Sequence, residues 1–137
     1  MGVTVVDAGV LIGFLDSADA HHASAHRALG EALRRGDRMV LPGSALAEVL
    51  VGPSRRGAQA VATVRELIAR VPFEVSPLDE PVAVAAADLR ARHKSLQVPD
   101  ALVIATAVVR DADVVLTTDR RWPTRSKLGL RGVIAEL

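Results

Sequence analysis

Four acidic residues stand out, Asp7, Glu48, Asp100 and Asp119, and the first three lie in segments that offer them little local neutralisation. Asp7 closes the apolar run Val3-Thr4-Val5-Val6 and opens an equally apolar stretch. Glu48 lies within Ala45-Leu46-Ala47-Glu48-Val49-Leu50-Val51, with no Lys or Arg inside a helical turn of it. Asp100 is the only charged residue between Lys94 and Arg110. Asp119 comes two residues after the apolar Val114-Val115-Leu116-Thr117. Each acid taken alone has a structural role open to it. Asp7 could cap a helix, Asp100 could complement a helix dipole, Glu48 could face solvent and Asp119 could shape a turn. A carboxylate withdrawn from water needs a partner, however. Three acids in apolar settings without local cations point to a shared counter-ion, and a hard divalent cation held by oxygen ligands is the economical choice.

The remaining chemistry-bearing residues narrow the options. The chain has no cysteine, which excludes disulfides, thiol nucleophiles and zinc–thiolate sites and fits a reducing cytoplasm. His22 and His26 have the spacing of a zinc-binding helix, but residue 23 is Ala, so the general-base Glu of that motif is missing. They read as packing or surface histidines. Basic residues cluster at Arg55 and Arg56, at Arg90, Arg92, His93 and Lys94, and at Arg120, Arg121, Arg125 and Lys127. The last cluster follows Asp119 directly, which puts Arg120 and Arg121 within reach of substrate phosphates; solvated surface charge is the plainer alternative. Trp122 could stack a base or cover the edge of the core. The net charge is +1, but setting four acids aside leaves 17 basic against 12 acidic residues, or +5. A mildly basic surface around an acidic pocket suits a phosphate-rich ligand.

The elements that must position these residues follow from periodicity. At 137 residues, half of them hydrophobic, the chain makes a single domain, residues 1–137, with one core. Strands are expected at 3–6, 39–41, 73–75, 114–117 and 132–134. Helical spacing places Ala25, Ala28, Leu29, Ala32 and Leu33 on one face, and Ala60, Val61, Val64, Leu67, Ile68 and Val71 on another. A short helix over 44–51 is expected to end at Gly52-Pro53. Asp79 is placed to cap a helix with Val82, Ala85, Ala86 and Leu89 inward, and Pro99 suits the first turn of a buried helix running to Arg110. Alternating strands and helices predict an α/β fold of three layers, α/β/α, around a short, mostly parallel sheet. Ligands of such sheets sit beyond the carboxyl ends of the strands, where Asp7 and Asp119 fall. The apolar run 101–109 is too short to span a bilayer and the N-terminus lacks a basic leader, so no membrane association and a cytoplasmic location are expected.

The segments Val5-Val6-Asp7-Ala8-Gly9-Val10-Leu11, Leu46-Ala47-Glu48-Val49-Leu50, Val98-Pro99-Asp100-Ala101-Leu102-Val103-Ile104-Ala105 and Leu116-Thr117-Thr118-Asp119 resemble the successive motifs of PIN domains. Among these the chain looks most like the VapC-type toxins of bacterial toxin–antitoxin pairs. Order, spacing and length agree, so the resemblance covers the whole chain. It implies that Asp7, Glu48, Asp100 and Asp119 bind Mg²⁺ or Mn²⁺, that Thr117 supports them from behind, and that the activity is endonucleolytic cleavage of RNA leaving a 5′-phosphate and a 3′-hydroxyl. Metal-activated water would be the attacking group. The resemblance further implies a small antitoxin whose C-terminal segment covers the acidic groove, and a homodimer. One position departs from the pattern. Many members carry Ser, Thr or Asn two residues after the first Asp, and here that residue is Gly9.

Three other readings compete. A phosphotransfer receiver domain would need an acidic pair after the first strand and a lysine after a late one, and neither is present. A haloacid-dehalogenase-type phosphatase would need Asp at position 9. A PIN-like module that only binds RNA or protein would need none of the four acids, and all four are retained.

Overall fold

The computed structural model describes residues 2–137. Five short strands are joined by helices: β1 (Val3–Val6), α1 (Ala8–Leu15), α2 (His22–Arg34), β2 (Arg38–Pro42), α3 (Gly43–Arg56), α4 (Ala58–Ala69), β3 (Phe73–Ser76), α5 (Glu80–Arg92), α6 (Val98–Val109), β4 (Val114–Thr117), α7 (Arg125–Leu128) and β5 (Val133–Glu136). The sheet order is β3-β2-β1-β4-β5 and every pairing is parallel. The expected sheet was mostly parallel; it is wholly so.

Period-two alternation divides the core between the two faces of the sheet. Val5 and Val115 face a cluster formed with α3, α5 and α6 through Ala45, Val49, Val82, Ala86, Leu89, Val103 and Ile104. Their neighbours Val6 and Leu116 face the opposite way, onto Val10 and onto Ala25, Leu29 and Ala32 of α2. Leu33, expected on the buried face of α2, is exposed. The α6 helix is the most enclosed, with Ala101 and an unbroken buried run from Val103 to Ala107. That is why it contains almost no charge.

Two elements differ from the sequence expectation. Gly52-Pro53 does not end α3; the helix continues to Arg56. A proline inside a helix forfeits the bond that its missing N–H would make, but Pro53 is buried, and the turn after it closes through Gly57, at φ 118°, whose amide donates to the Pro53 carbonyl. The second difference is α7, a single turn that buries Leu128 and ends at the left-handed Gly129; four residues are too few for a periodic signal.

Strands β2 and β3 lie on one side of β1, and β4 and β5 on the other. The strand order therefore reverses between β1 and β4, the switch point at which open parallel sheets leave a crevice.

Candidate active site

The crevice between β1 and β4 is built on Asp7. Its amide continues the ladder by donating to the Leu116 carbonyl at 2.9 Å, which fixes the backbone across from β4. Its side chain is 9 % exposed. Oδ1 accepts from the Ala8 amide at 2.8 Å, and Oδ2 accepts from Thr117 Oγ1 at 2.8 Å. The same Thr117 hydroxyl accepts the amide of Asp119 at 3.0 Å. One buried hydroxyl thus ties the first acid to the backbone of the last, across 110 residues of chain.

Helix geometry brings in the others. Asp7 stands at the N-terminus of α1 and Asp100 in the first turn of α6, so both carboxylates face the positive ends of helix dipoles. Glu48 is exposed on α3, next to the buried Val49. Burial pushes the Asp7 carboxyl above the ordinary carboxylate range, the Thr117 and Ala8 bonds pull it back, and the negative charges of Asp100 and Asp119 raise it further. Glu48 is raised by partial burial and then by Asp7 and Asp100. Asp100 is raised by burial and by Asp119. Asp119 goes the other way: burial pushes it up, but its bonds to Arg121 outweigh that and hold it low. The four acids identified in the sequence therefore share one electrostatic neighbourhood. In these side-chain conformations, however, no three Asp, Glu or His side chains among the described residues are grouped closely enough to hold one ion between them.

The donor set nonetheless has the chemistry that a hard divalent cation requires. It is all oxygen, three of its carboxyls have their pKa raised by burial and mutual repulsion, and a bound cation would offset both. Asp7, Glu48, Asp100 and Asp119 are the residues that would hold it.

Two cavities flank the acids. One, of about 220 Å³, is lined by Ser95, Gln97, Asp100, Asp119, Arg121 and Trp122. The other, of about 490 Å³, is a groove carrying Glu48 with Asp16 and Arg56 among apolar residues of α1, α3 and α4. Asp16 was not singled out in the sequence, and Arg56 only as part of a basic cluster, since nothing local links residues so far apart. Trp122 packs against the core, as one of its two expected roles required, and its indole N–H lies beside Asp100, where it acts against the burial that raises that carboxyl. Arg120 is exposed. His22 and His26 are packing residues: His22 Nδ1 lies 2.9 Å from the Gly13 carbonyl, and the His26 ring centroid is 4.2 Å from that of Phe14.

Gly9 has a steric explanation. A Cβ at this position would collide with Thr118 Oγ1. The space that a side chain at position 9 would take is filled from β4's side of the crevice, by a hydroxyl.

No curated protein matches the chain in sequence. Solved structures match it in fold. They include VapBC2 from Rickettsia felis bound to a DNA fragment from its promoter, at TM-score 0.74 and 13 % identity over 98 % of each chain. VapC20 from Mycobacterium tuberculosis, described as a sarcin–ricin loop cleaving toxin, matches at TM-score 0.70 and 18 % identity, over 95 % of this chain and 98 % of that one. The DNA-bound VapBC from Salmonella typhimurium matches at TM-score 0.69 and 17 % identity, over 99 % and 98 %. At these identities the likeness is one of fold. In sequence, the family model described as PIN domain matches residues 4–128, a span that runs from within β1 to the end of α7 and takes in all four acids. A match over that much of the chain, on a wholly parallel sheet with the acids at its switch point, makes this protein a member of the PIN-domain family.

Proposed function

We propose that this protein is a Mg²⁺- or Mn²⁺-dependent endoribonuclease and the toxin of a toxin–antitoxin pair. The observation that carries the nuclease reading is the electrostatic coupling of Asp7, Glu48, Asp100 and Asp119 at the carboxyl ends of β1 and β4. A divalent cation held by those four would supply charge stabilisation to a phosphodiester and lower the pKa of an attacking water. The protein's own part is preorganisation. Thr117 holds the Asp7 carboxylate in one orientation and fixes the Asp119 backbone beside it. Helix α6 carries Asp100 on a buried, rigid support. Arg120, exposed on the loop after β4, is available to RNA phosphates, while Arg121 beside it is paired with Asp119. The toxin reading is supported by the fold neighbours, several of which are VapBC complexes or VapC toxins. By the same analogy the partners are RNA, a small antitoxin and a second copy of the chain, acting in the cytoplasm. Among the described residues no helix is long and apolar enough to cross a membrane.

The test is cleavage of total RNA by purified protein with Mn²⁺, with EDTA, and with Asp100→Asn in place of the wild type. Cleavage is expected only for the wild type with metal. The variant should lose about 3 kcal/mol or more of transition-state stabilisation, on the order of a hundredfold in rate. Undiminished cleavage in excess EDTA, or by Asp100→Asn, refutes the proposed site. Expression of the protein should also arrest bacterial growth, with relief by co-expression of a small protein from the adjoining reading frame. A folded, RNA-cleaving protein without any growth effect would refute the toxin role alone.

A further inference from the structure

The acidic site carries a cation of its own at one corner. Arg121 lies two residues after Asp119 and grips it three ways. Its backbone N–H donates to Oδ1 at 2.8 Å, Nε donates to the same oxygen at 3.3 Å, and Nη2 donates to Oδ2 at 3.3 Å. This is the fork-on-carboxylate geometry that makes arginine a bidentate partner. The carboxylate is 17 % exposed while the arginine side chain is 89 % exposed, so the guanidinium reaches in from solvent over the mouth of the 220 Å³ cavity. Both Asp119 oxygens are engaged by Arg121. Arg120, its neighbour, is equally a cation and equally on the surface, but it makes none of the ion pairs found among the described residues.

We infer that Arg121 is an intramolecular competitor of the divalent cation: it occupies the Asp119 carboxylate in the metal-free protein and must leave it for the ion to bind. The inference rests on the nuclease site proposed above. Without metal, four carboxylates in one neighbourhood carry four negative charges, and the guanidinium neutralises one of them where it stands. When a divalent ion takes Asp119, Arg121 is released but remains tethered beside the site. A phosphate oxygen pair of the incoming RNA then offers the same bidentate geometry that the carboxylate gave up. The arginine therefore sets a threshold on metal occupancy and hands its charge to the substrate once that threshold is passed. A pair this exposed is strongly screened by solvent, and its loss shifts affinity only roughly 1.4- to 5-fold, so the threshold is graded.

The test is Mn²⁺ binding to the full chain, read by electron paramagnetic resonance of free Mn²⁺ without RNA, for the wild type, Arg121→Gln, Arg120→Gln and Asp100→Asn. Arg121→Gln is expected to bind Mn²⁺ about two- to fivefold more tightly than the wild type. It should also show a larger Mn²⁺-induced rise in Tm over its value in EDTA. Arg120→Gln removes the same charge without touching Asp119, and should stay within about 1.5-fold of the wild type. If Arg121→Gln binds no more tightly than Arg120→Gln, the effect is one of general field and the inference is overturned. Asp100→Asn separates that failure from failure of the site. Weakened Mn²⁺ binding in Asp100→Asn with no gain in Arg121→Gln overturns the competitor role and leaves the site standing. Wild-type Mn²⁺ binding in Asp100→Asn removes the site and the inference together.

Discussion

At the scale of single residues, the chemistry turns on how a buried carboxylate is kept charged and oriented. Thr117 is the residue on which Asp7 depends most, because its hydroxyl is the only side-chain donor that Asp7 has among the described residues. Replacing it with Val keeps the shape and removes a hydrogen bond to a charged group, a loss of about 1.5–3 kcal/mol. Thr117→Val should therefore be less stable in EDTA, and metal affinity or activity should fall roughly 10- to 100-fold, as for other residues that orient a metal ligand. Thr117→Ser should recover most of both; a Ser variant as impaired as Val would mean that the methyl group, not the hydroxyl, matters. Gly9 and Thr118 form a second pair. Gly9→Ser forces Thr118 Oγ1 aside and should destabilise the protein by about 1–3 kcal/mol. Adding Thr118→Ala opens the space and should restore most of that stability in a urea titration, and no recovery in the double variant would place the strain elsewhere.

At the scale of elements, the site depends on β4 staying in register between β1 and β5, since β4 sets the position of Thr117 and the loop bearing Asp119 and Arg121. Val114 pairs with Thr4 on one side and with Val133 on the other. Gly132 begins the final pairing with its Cα so close to the chain ahead of β4 that a Cβ would collide with the Ala112 and Asp113 carbonyl oxygens. These are backbone atoms and cannot swing away. Gly132→Ala should therefore cost about 1–3 kcal/mol or more, and hydrogen exchange should rise first at Val133 and Ile134, where β5 lifts from β4. Protection lost uniformly across the sheet would show instead that β5 is not a separable edge.

At the scale of the whole molecule, burial and the acids' mutual repulsion give stability an unusual pH dependence. Asp7, Glu48 and Asp100 have carboxyls raised above the ordinary value, about 4 for an unfolded chain. A raised acid binds more protons folded than unfolded, so in EDTA stability should increase as the pH falls through the raised range toward about 4.5. Three groups work in the opposite sense. Asp37 is pushed up by burial but held low by bonds from Thr4, Arg35 and the Gly2 amide. Glu74 is held low by Arg110 and Arg38, and Asp119 is held low by Arg121 against its burial. Their contribution is present above about 4 and lost below it, so the EDTA curve should turn over there. Saturating Mn²⁺ should abolish the acid-side rise, because protons and metal then compete for the same oxygens. Thermal melts between pH 4 and 8, with EDTA and with Mn²⁺, would show the two curves converging as the pH falls. Parallel curves would mean that metal binds away from these acids.

What the sequence determined was whatever local spacing encodes. Short apolar runs and helical patterns located all five strands and the long helices, and the isolation of Asp7, Glu48 and Asp100 in apolar segments marked them because solvation penalties act on each segment separately. The continuation of α3 past Pro53 was not legible, since an interior proline disfavours a helix locally and only the packing of the buried Pro53 offsets that. The partners of the acids were legible only in part: the resemblance to PIN domains marked Thr117 as a supporting residue, but not the oxygen it bonds. Thr117 meets Asp7 only because β1 and β4 pair in parallel, with Val6 opposite Leu116. Thr118 fills the space over Gly9 for the same reason. Arg121 was visible as a charge near Asp119, but a charge in sequence does not say whether it faces solvent, substrate or its own neighbour. Only the folded loop turns the guanidinium back onto the carboxylate, because the backbone N–H of Arg121 is already bound to the same oxygen.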